Sequence, residues 1–125
     1  MRLLLTGVAG FAGAHILQHL LENTDWEVVG IASWRHKGTP ERLHQVFSKY
    51  PEWEHRVRIV THDLESPFTD RTADRIGPVD YIINAASESH VERSIEDPVP
   101  FVSNNVALIL NMLEFSRLQG ERLRT

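Results

Sequence analysis

The sequence has no cysteine, no long hydrophobic run and no excess of positive charge, and each absence excludes a class of protein. Without cysteine there are neither disulfides nor thiolate metal sites, so a reducing cytoplasm is the expected location. Because 13 basic and 17 acidic residues leave a net charge of −4, neither nucleic acid nor an anionic membrane is expected as a partner. No stretch approaches the roughly 20 apolar residues of a membrane span. With 42% apolar residues, the 125-residue chain is typical of one globular domain at most.

The stretch Arg2–Gly13 carries the first informative pattern. An apolar run that is short enough for a buried strand ends at Thr6, and glycines follow at positions 7, 10 and 13. We expect a turn at Gly7, a close approach of a ligand to the backbone at Gly10, and close packing of a helix at Gly13. The amide groups at the start of that helix form a candidate pyrophosphate site, and a purely structural turn is the alternative.

The rest of the chain alternates apolar segments with helical patterns. This alternation predicts an α/β fold, namely part of a doubly wound parallel sheet (a partial Rossmann fold) with strands 1 to 4 and flanking helices. Beyond the opening strand, we expect strands at 26–32, 57–61 and 79–83, helices at 11–23, 40–49, 69–76 and 101–118, and a polar loop at 88–97.

The end of the second strand bears on the choice of cofactor. An acidic residue there would bind the ribose 2′-hydroxyl of NAD, whereas an arginine would accommodate the 2′-phosphate of NADP. The sequence reads Ala32-Ser33-Trp34-Arg35-His36-Lys37, with no acid and several bases. This favours NADP over NAD, with Arg35 as the candidate ligand, unless Arg35 and Lys37 only solvate a loop.

Residues after the third and fourth strands are further candidates. Asp63 could accept a hydrogen bond from an adenine amino group, or could serve only as a turn residue. Ala85, Ala86 and Ser87 are small enough for a flat ring or a ribose to pack on the backbone. Asn104 and Asn105 interrupt the apolar pattern of the last helix, so each either holds a loop or reaches a ligand.

Several of these motifs, taken together, resemble one family. They are Thr6-Gly7-x-x-Gly10-Phe11-x-Gly13, Asp63-Leu64, Asn84-Ala85-Ala86-Ser87, Glu88-Ser89-His90-Val91-Glu92-Arg93-Ser94-Ile95 and Phe101-Val102-x-x-Asn105. The chain resembles the extended short-chain dehydrogenase/reductases, and among them the NAD(P)-dependent nucleotide-sugar 4,6-dehydratases and epimerases, dTDP-glucose 4,6-dehydratases in particular. In that family the strand order would be 3-2-1-4-5.

The resemblance implies a role for each matching residue. The backbone of Phe11 and Ala12 would hold the pyrophosphate, Asp63 and Leu64 would flank the adenine, and Ala85, Ala86, Ser87 and Asn105 would line the inner part of the cofactor. Ser89 and His90 would lie on the side of the nucleotide-sugar substrate, although His90 could also be an ordinary loop residue. The dTDP-glucose dehydratases use NAD, and similar GDP-mannose dehydratases with arginines after the second strand use NADP.

The family's catalytic Tyr-x-x-x-Lys motif does not occur in this sequence. Glu54 follows Tyr50 at the lysine position, and Ala85 follows Tyr81. We therefore expect residues 1–125 to form the N-terminal NAD(P)-binding half of such an enzyme, with no catalytic residue, no metal ligand and no substrate domain in this chain. Strand four would then be a bare edge, so that we expect homodimerisation or other self-association, or else an isolated chain of only marginal stability.

Three functions fit the sequence. The first is the cofactor-binding part of a nucleotide-sugar dehydratase or epimerase that works through a 4-keto intermediate. The second is a non-catalytic dinucleotide-binding module or redox sensor, and the third is a structural domain without a ligand. A strand, a serine or threonine segment and Tyr-x-x-x-Lys encoded just beyond Thr125 would favour the first.

Overall fold

The four strands of the structure form one parallel sheet. A computed structural model describes residues 1–34, 39–87 and 91–124 of the chain. The strands are β1 (Arg2–Thr6), β2 (Glu27–Ala32), β3 (Val57–Thr61) and β4 (Tyr81–Asn84), in the order β3-β2-β1-β4. The predicted α/β class and the family's strand order are therefore confirmed for these four strands.

The two central strands, β1 and β2, are buried on both faces, which explains why they are apolar runs without alternation. Leu3 and Leu5 of β1 point to one apolar cluster, and Leu4 between them points to another. The first cluster lies under α1 (Phe11–Asn23) and α2 (Pro40–Lys49), and the second lies under α3 (Asp70–Ile76) and α5 (Pro98–Gln119). The chain is thus doubly wound, with helices on both faces of the sheet.

The helix boundaries follow recognisable local signals. Helix α1 has its predicted bounds, and α2 begins with Pro40 after Thr39, as the Thr-Pro pair predicts. Thr69 caps α3, because its hydroxyl accepts a hydrogen bond of 3.1 Å from the amide of Thr72. Helix α5 ends at Gln119, and its C-cap is Gly120, with φ +61°.

Apart from one-residue shifts at the starts of β2 and α3, three predicted elements differ from the structure. Strand β4 starts at Tyr81 instead of residue 79, because the Val79 amide donates to the Gln119 side chain and lies outside the ladder. Within the expected loop, Val91–Glu96 forms a short helix, α4. Helix α5 begins three residues early, since the fixed φ of proline suits the first turn of a helix.

Asp80 ties together the amino-terminal edge of the sheet, opposite the ends where β1 and β4 finish. Its carboxylate accepts a hydrogen bond of 2.8 Å from the Arg2 amide and lies 3.5 Å from the Arg122 guanidinium. Its carbonyl accepts a bond of 2.8 Å from the Arg124 amide, so the segment after α5 is held against the first strand. The hydrogen bond from Arg2, and after it the charge of Arg122, lower the pKa of the Asp80 carboxyl against an opposing effect of burial.

We predict that Asp80→Asn removes a pH-dependent part of the stability. Because the folded state lowers this pKa, the ionised carboxylate stabilises the fold above the ordinary aspartate pKa of about 4, and this contribution is lost as the pH falls further. The free energy of unfolding, measured with urea, should differ between wild type and variant at pH 7, and the two should converge below about pH 4. The exposed Asp74→Asn controls for the loss of one negative charge. A difference that is constant down to pH 2 would show that the Asp80 charge does not act in this way.

Candidate functional site

A crevice of about 620 Å³ opens at the carboxyl ends of the four strands. In doubly wound sheets this is the edge where ligands bind, and the volume lies within the range of ligand pockets. The crevice brings together every described residue that the sequence predicted for the cofactor: Gly7, Gly10, Phe11, Ala12, Gly13, Asp63, Leu64, Ala85, Ala86, Ser87 and Asn105.

The floor of the crevice is the turn between β1 and α1, where backbone packs on backbone. Gly7 has φ +66°, and a Cβ atom there would lie 2.9 Å from the Ala86 backbone. A Cβ atom on Gly13 would lie 1.9 Å from the Gly7 carbonyl oxygen. Both positions therefore require glycine, and Gly13 brings α1 close to the turn itself.

Val8 anchors the same turn in the hydrophobic core. Its side chain is fully buried in the cluster under α1, and its amide donates to the Ile31 carbonyl of β2 at 3.3 Å. In the middle of β2, Gly30 leaves room for it, because a Cβ atom there would lie 2.9 Å from a Val8 methyl group. The turn is thus part of the hydrophobic core.

Thr6 connects the ends of β1 and β4. It is fully buried, and its hydroxyl donates to the Asn84 side-chain oxygen and accepts a bond of 3.2 Å from the Ala86 amide. This arrangement satisfies a buried hydroxyl and holds Ala85 and Ala86 against the glycine turn.

The first turn of α1 presents amide groups to the crevice. Gly10 is the N-cap, and the amides of Phe11, Ala12 and Gly13 precede the first intrahelical bond, from Ala14 to Gly10. No acidic side chain occupies this turn, so its positive dipole end is not neutralised. The arrangement suits an anion such as a diphosphate.

The end of β2 contains a strained residue. Trp34 has φ +60°, a conformation that a bulky side chain rarely adopts, and its indole donates a 3.0 Å hydrogen bond to Thr61 at the end of β3. Its side chain lines the crevice beside Ala32 and Ser33. Arg35, the predicted 2′-phosphate ligand, lies outside the described residues.

Asp63 and Leu64 follow β3 along the crevice. The Asp63 carboxylate accepts a bond of 3.1 Å from the Glu65 amide, which is the local turn role that the sequence left open. The Leu64 carbonyl accepts a bond of 2.8 Å from the Asn111 side chain of α5. Asn111 was not predicted, although an amide within an apolar helix pattern is a signal for such a contact.

The remaining wall comes from the segment after β4 and from α5. Ala85, Ala86, Ser87, Asn104 and Asn105 line it. Both asparagines are half-buried and lie on the side of the crevice. Ser89 and His90, predicted on the substrate side, lie outside the described residues.

The sequence did not indicate several residues that line the crevice. They are Trp34, Arg42, His62, Glu65 and Arg93. Arg42 lies on α2, and only the folded chain brings it to the glycine turn. Within residues 1–34, 39–87 and 91–124, no three His, Asp or Glu side chains are grouped so that they could hold a metal ion. None of the helices described there is long and apolar enough to cross a membrane.

Comparison with known proteins identifies the family. The sequence profile described as GDP-mannose 4,6 dehydratase matches residues 4–125. The chain belongs to this family. It is an extended short-chain dehydrogenase/reductase of the nucleotide-sugar dehydratase and epimerase type, as the motifs predicted. Relatives include the low-salt glycan biosynthesis protein Agl12 of Haloferax volcanii, 37% identical over 85% of this chain and 32% of its own length. The dTDP-glucose 4,6-dehydratase of Salmonella typhimurium is 32% identical over 94% of this chain and 31% of its own.

Solved structures share the fold of this chain. DesIV, a dTDP-glucose 4,6-dehydratase from Streptomyces venezuelae with NAD and TYD bound, has a TM-score of 0.80 and 32% identity, covering 96% of this chain and 37% of its own. The UDP-glucose 4-epimerase of Bifidobacterium longum has a TM-score of 0.80 at 22% identity, covering 95% of this chain and 34% of its own, a likeness of fold alone. The chain spans about a third of the length of the relatives that it matches.

The packing of the glycine turn predicts a large difference between two single-methyl substitutions. Gly13→Ala places a methyl group against the Gly7 carbonyl, and we expect it to lower the free energy of unfolding by about 3 kcal/mol or more. Gly10→Ala in the same turn meets one atom, at 3.2 Å, and should cost at most about 1 kcal/mol. Urea denaturation measures both. Equal small losses would mean that the turn relaxes and does not depend on close packing.

Proposed function

We propose that residues 1–125 form the cofactor-binding part of an NAD(P)-dependent nucleotide-sugar 4,6-dehydratase or epimerase. The observation that carries the proposal is the crevice, in which the glycine turn, the open first turn of α1 and the small residues after β4 face one another. The family of the chain and the NAD-bound state of DesIV support it.

The residues fit a dinucleotide along the length of the crevice. The amides of Phe11 and Ala12 would hold the diphosphate, and Asp63 and Leu64 would flank the adenine. Ala85, Ala86 and Ser87 would leave room for the nicotinamide side, with Asn105 beside them. The close approach between Gly7 and the Ala86 backbone keeps these two parts of the site in a fixed relation.

We further propose that NADP is the preferred form. The end of β2 carries Ala32, Ser33 and Trp34 where an NAD site has an acid to bind the ribose 2′-hydroxyl. Arg35 follows them in the sequence and would contribute to binding of a 2′-phosphate. The NAD bound to DesIV is an argument for NAD as the coenzyme instead.

The chemistry follows from the family. A bound nicotinamide would accept a hydride from a sugar carbon, which requires that a base takes the proton of the hydroxyl group on that carbon. The 125 residues contain no Tyr-x-x-x-Lys pair for that purpose. We propose that these residues bind and orient the coenzyme, and that the chain alone does not turn over a nucleotide sugar.

A carboxylate in the first turn of α1 should abolish much of the coenzyme affinity. Ala12 is exposed, so Ala12→Asp should fold, and a negative charge at a helix N-terminus does not destabilise the helix. Because the new charge repels a diphosphate at close range, we expect calorimetry to show NADPH and NADH affinities reduced about tenfold or more.

The matched control is Asn23→Asp, which adds the same charge at the other end of α1. It should leave both affinities within about twofold of wild type, because screening weakens charges so far from the site. If the wild-type chain bound neither coenzyme, or if both variants bound equally well, the diphosphate site would not be at this helix.

We also propose that the chain associates with itself through α5. Leu108, Met112 and Phe115 pack on the sheet, and the opposite side of the helix is apolar and exposed. The exposed side chains are Val99, Val102, Val106, Ile109, Leu110 and Leu113, with exposures of 49% to 70%. A continuous apolar face of this kind is typical of an interaction surface.

Val106→Glu should therefore reduce association. A charge in the middle of an apolar contact must be desolvated, so we expect sedimentation to show oligomers of the wild type and monomers of the variant at tens of micromolar. The control is Gln45→Glu, which adds a charge at an exposed position of α2 and should associate like wild type. A wild type that sediments as a monomer and unfolds cooperatively would rule out association through this face.

A further inference from the structure

Arg42 of α2 contacts the glycine turn at the wall of the crevice. Its guanidinium Nη1 donates a 3.1 Å hydrogen bond to the Ala9 carbonyl of the glycine turn, which also accepts a bond of 3.2 Å from the Thr39 amide. The start of α2 is thereby held against the turn, and the partly buried side chain of Arg42 lines the crevice.

This position is on the β2 side of the glycine turn. Val8, the neighbour of Ala9, donates its amide to the Ile31 carbonyl near the end of β2. The guanidinium therefore lies next to the junction of the turn and β2, which is where a dinucleotide fold places the adenosine ribose.

The charges along the described part of the crevice also favour an anion beside Arg42. Its carboxylates, Asp63 and Glu65, follow β3, and its guanidinium groups belong to Arg42 of α2 and Arg93 of α4. Among the crevice residues described at the end of β2, none is acidic. Among its described residues, the crevice wall beside the end of β2 thus combines the cation of Arg42 with the absence of a carboxylate. A site for an unphosphorylated ribose would have a carboxylate there.

We propose that Arg42 is a specificity-determining residue that binds the ribose 2′-phosphate of NADP. The inference rests on the proposed dinucleotide site and adds to it a recognition group on the helix after β2. A guanidinium suits this role because its planar donors match phosphate oxygens and its charge does not depend on pH near neutrality. The bond to Ala9 anchors the side chain, so that less conformational entropy is lost on binding.

Calorimetry of the 125-residue chain with two pairs of probes tests the proposal. The pairs are NADPH with NADH, and 2′,5′-ADP with 5′-AMP, each of which differs by the 2′-phosphate. For Arg42→Ala we expect the affinity for the phosphorylated member of each pair to fall about tenfold to a hundredfold, as for a hydrogen bond to a charged group. NADH and 5′-AMP should stay within about twofold of wild type. Arg42→Lys, which keeps the charge, should restore part of the loss.

Arg71→Ala is the matched control, since it removes an exposed arginine of α3 away from the crevice. It should bind all four probes like wild type. Equal losses for both members of each pair would show that Arg42 only clamps the glycine turn, and unchanged affinities would show that it has no part in binding; either result overturns the proposal. A wild type that binds NADH and 5′-AMP as tightly as their phosphorylated partners would overturn the assignment while the dinucleotide site stands. A wild type that binds none of the probes would overturn both.

Discussion

Direct packing of backbone on backbone at the glycine turn is the constraint on which the rest of the fold depends. Gly13 brings α1 to the Gly7 carbonyl, and Gly7 brings the turn to the backbone of Ala86. Three separate pieces of chain, the end of β1, the start of α1 and the segment after β4, therefore meet without side chains between them. Thr6 adds the hydrogen bonds that hold this meeting point in register. The crevice exists because these pieces meet at the edge where parallel strands end.

The helices on the two faces of the sheet differ in how polar their outer sides are. Under α1 and α2 the core reaches from β1 to Val46, and the outer sides of these helices are largely polar. On the other face, α5 has one side packed against the sheet and the opposite side apolar and exposed. A single helix thus belongs to the core of the domain and also to a surface that favours contact with further apolar groups.

The sequence predicted best where a local signal decides the structure. The glycine spacing, the apolar runs and the Thr39-Pro40 pair depend on neighbours in the chain, and their elements appear at or within a few residues of the predicted bounds. The apolar segment at 79–83 predicted a strand that begins at Val79, but the Gln119 side chain 40 residues away accepts the hydrogen bond of the Val79 amide. Periodicity along the chain contains no information about such a partner.

The site was predictable to a similar extent. The motif residues from Gly7 to Ser87 line one crevice because they lie after the strands of a parallel sheet, and strand ends can be read from sequence. Asn105 joins them from α5. Arg42 and Trp34 could not be found in this way. The contact of Arg42 with Ala9 depends on how α2 returns to the turn, and the indole of Trp34 reaches Thr61 only because its backbone adopts a positive φ.

The burial of Val8 has a consequence for the energetics of ligand capture. A phosphate-binding loop that closes on arrival of its ligand loses conformational freedom at that moment, and this loss weakens affinity. Here the loop carries a core side chain that Gly30 accommodates, so its shape is already set when the domain folds. Preorganisation of this kind shifts the entropic cost from association to folding, so the cleft has its shape before any ligand arrives.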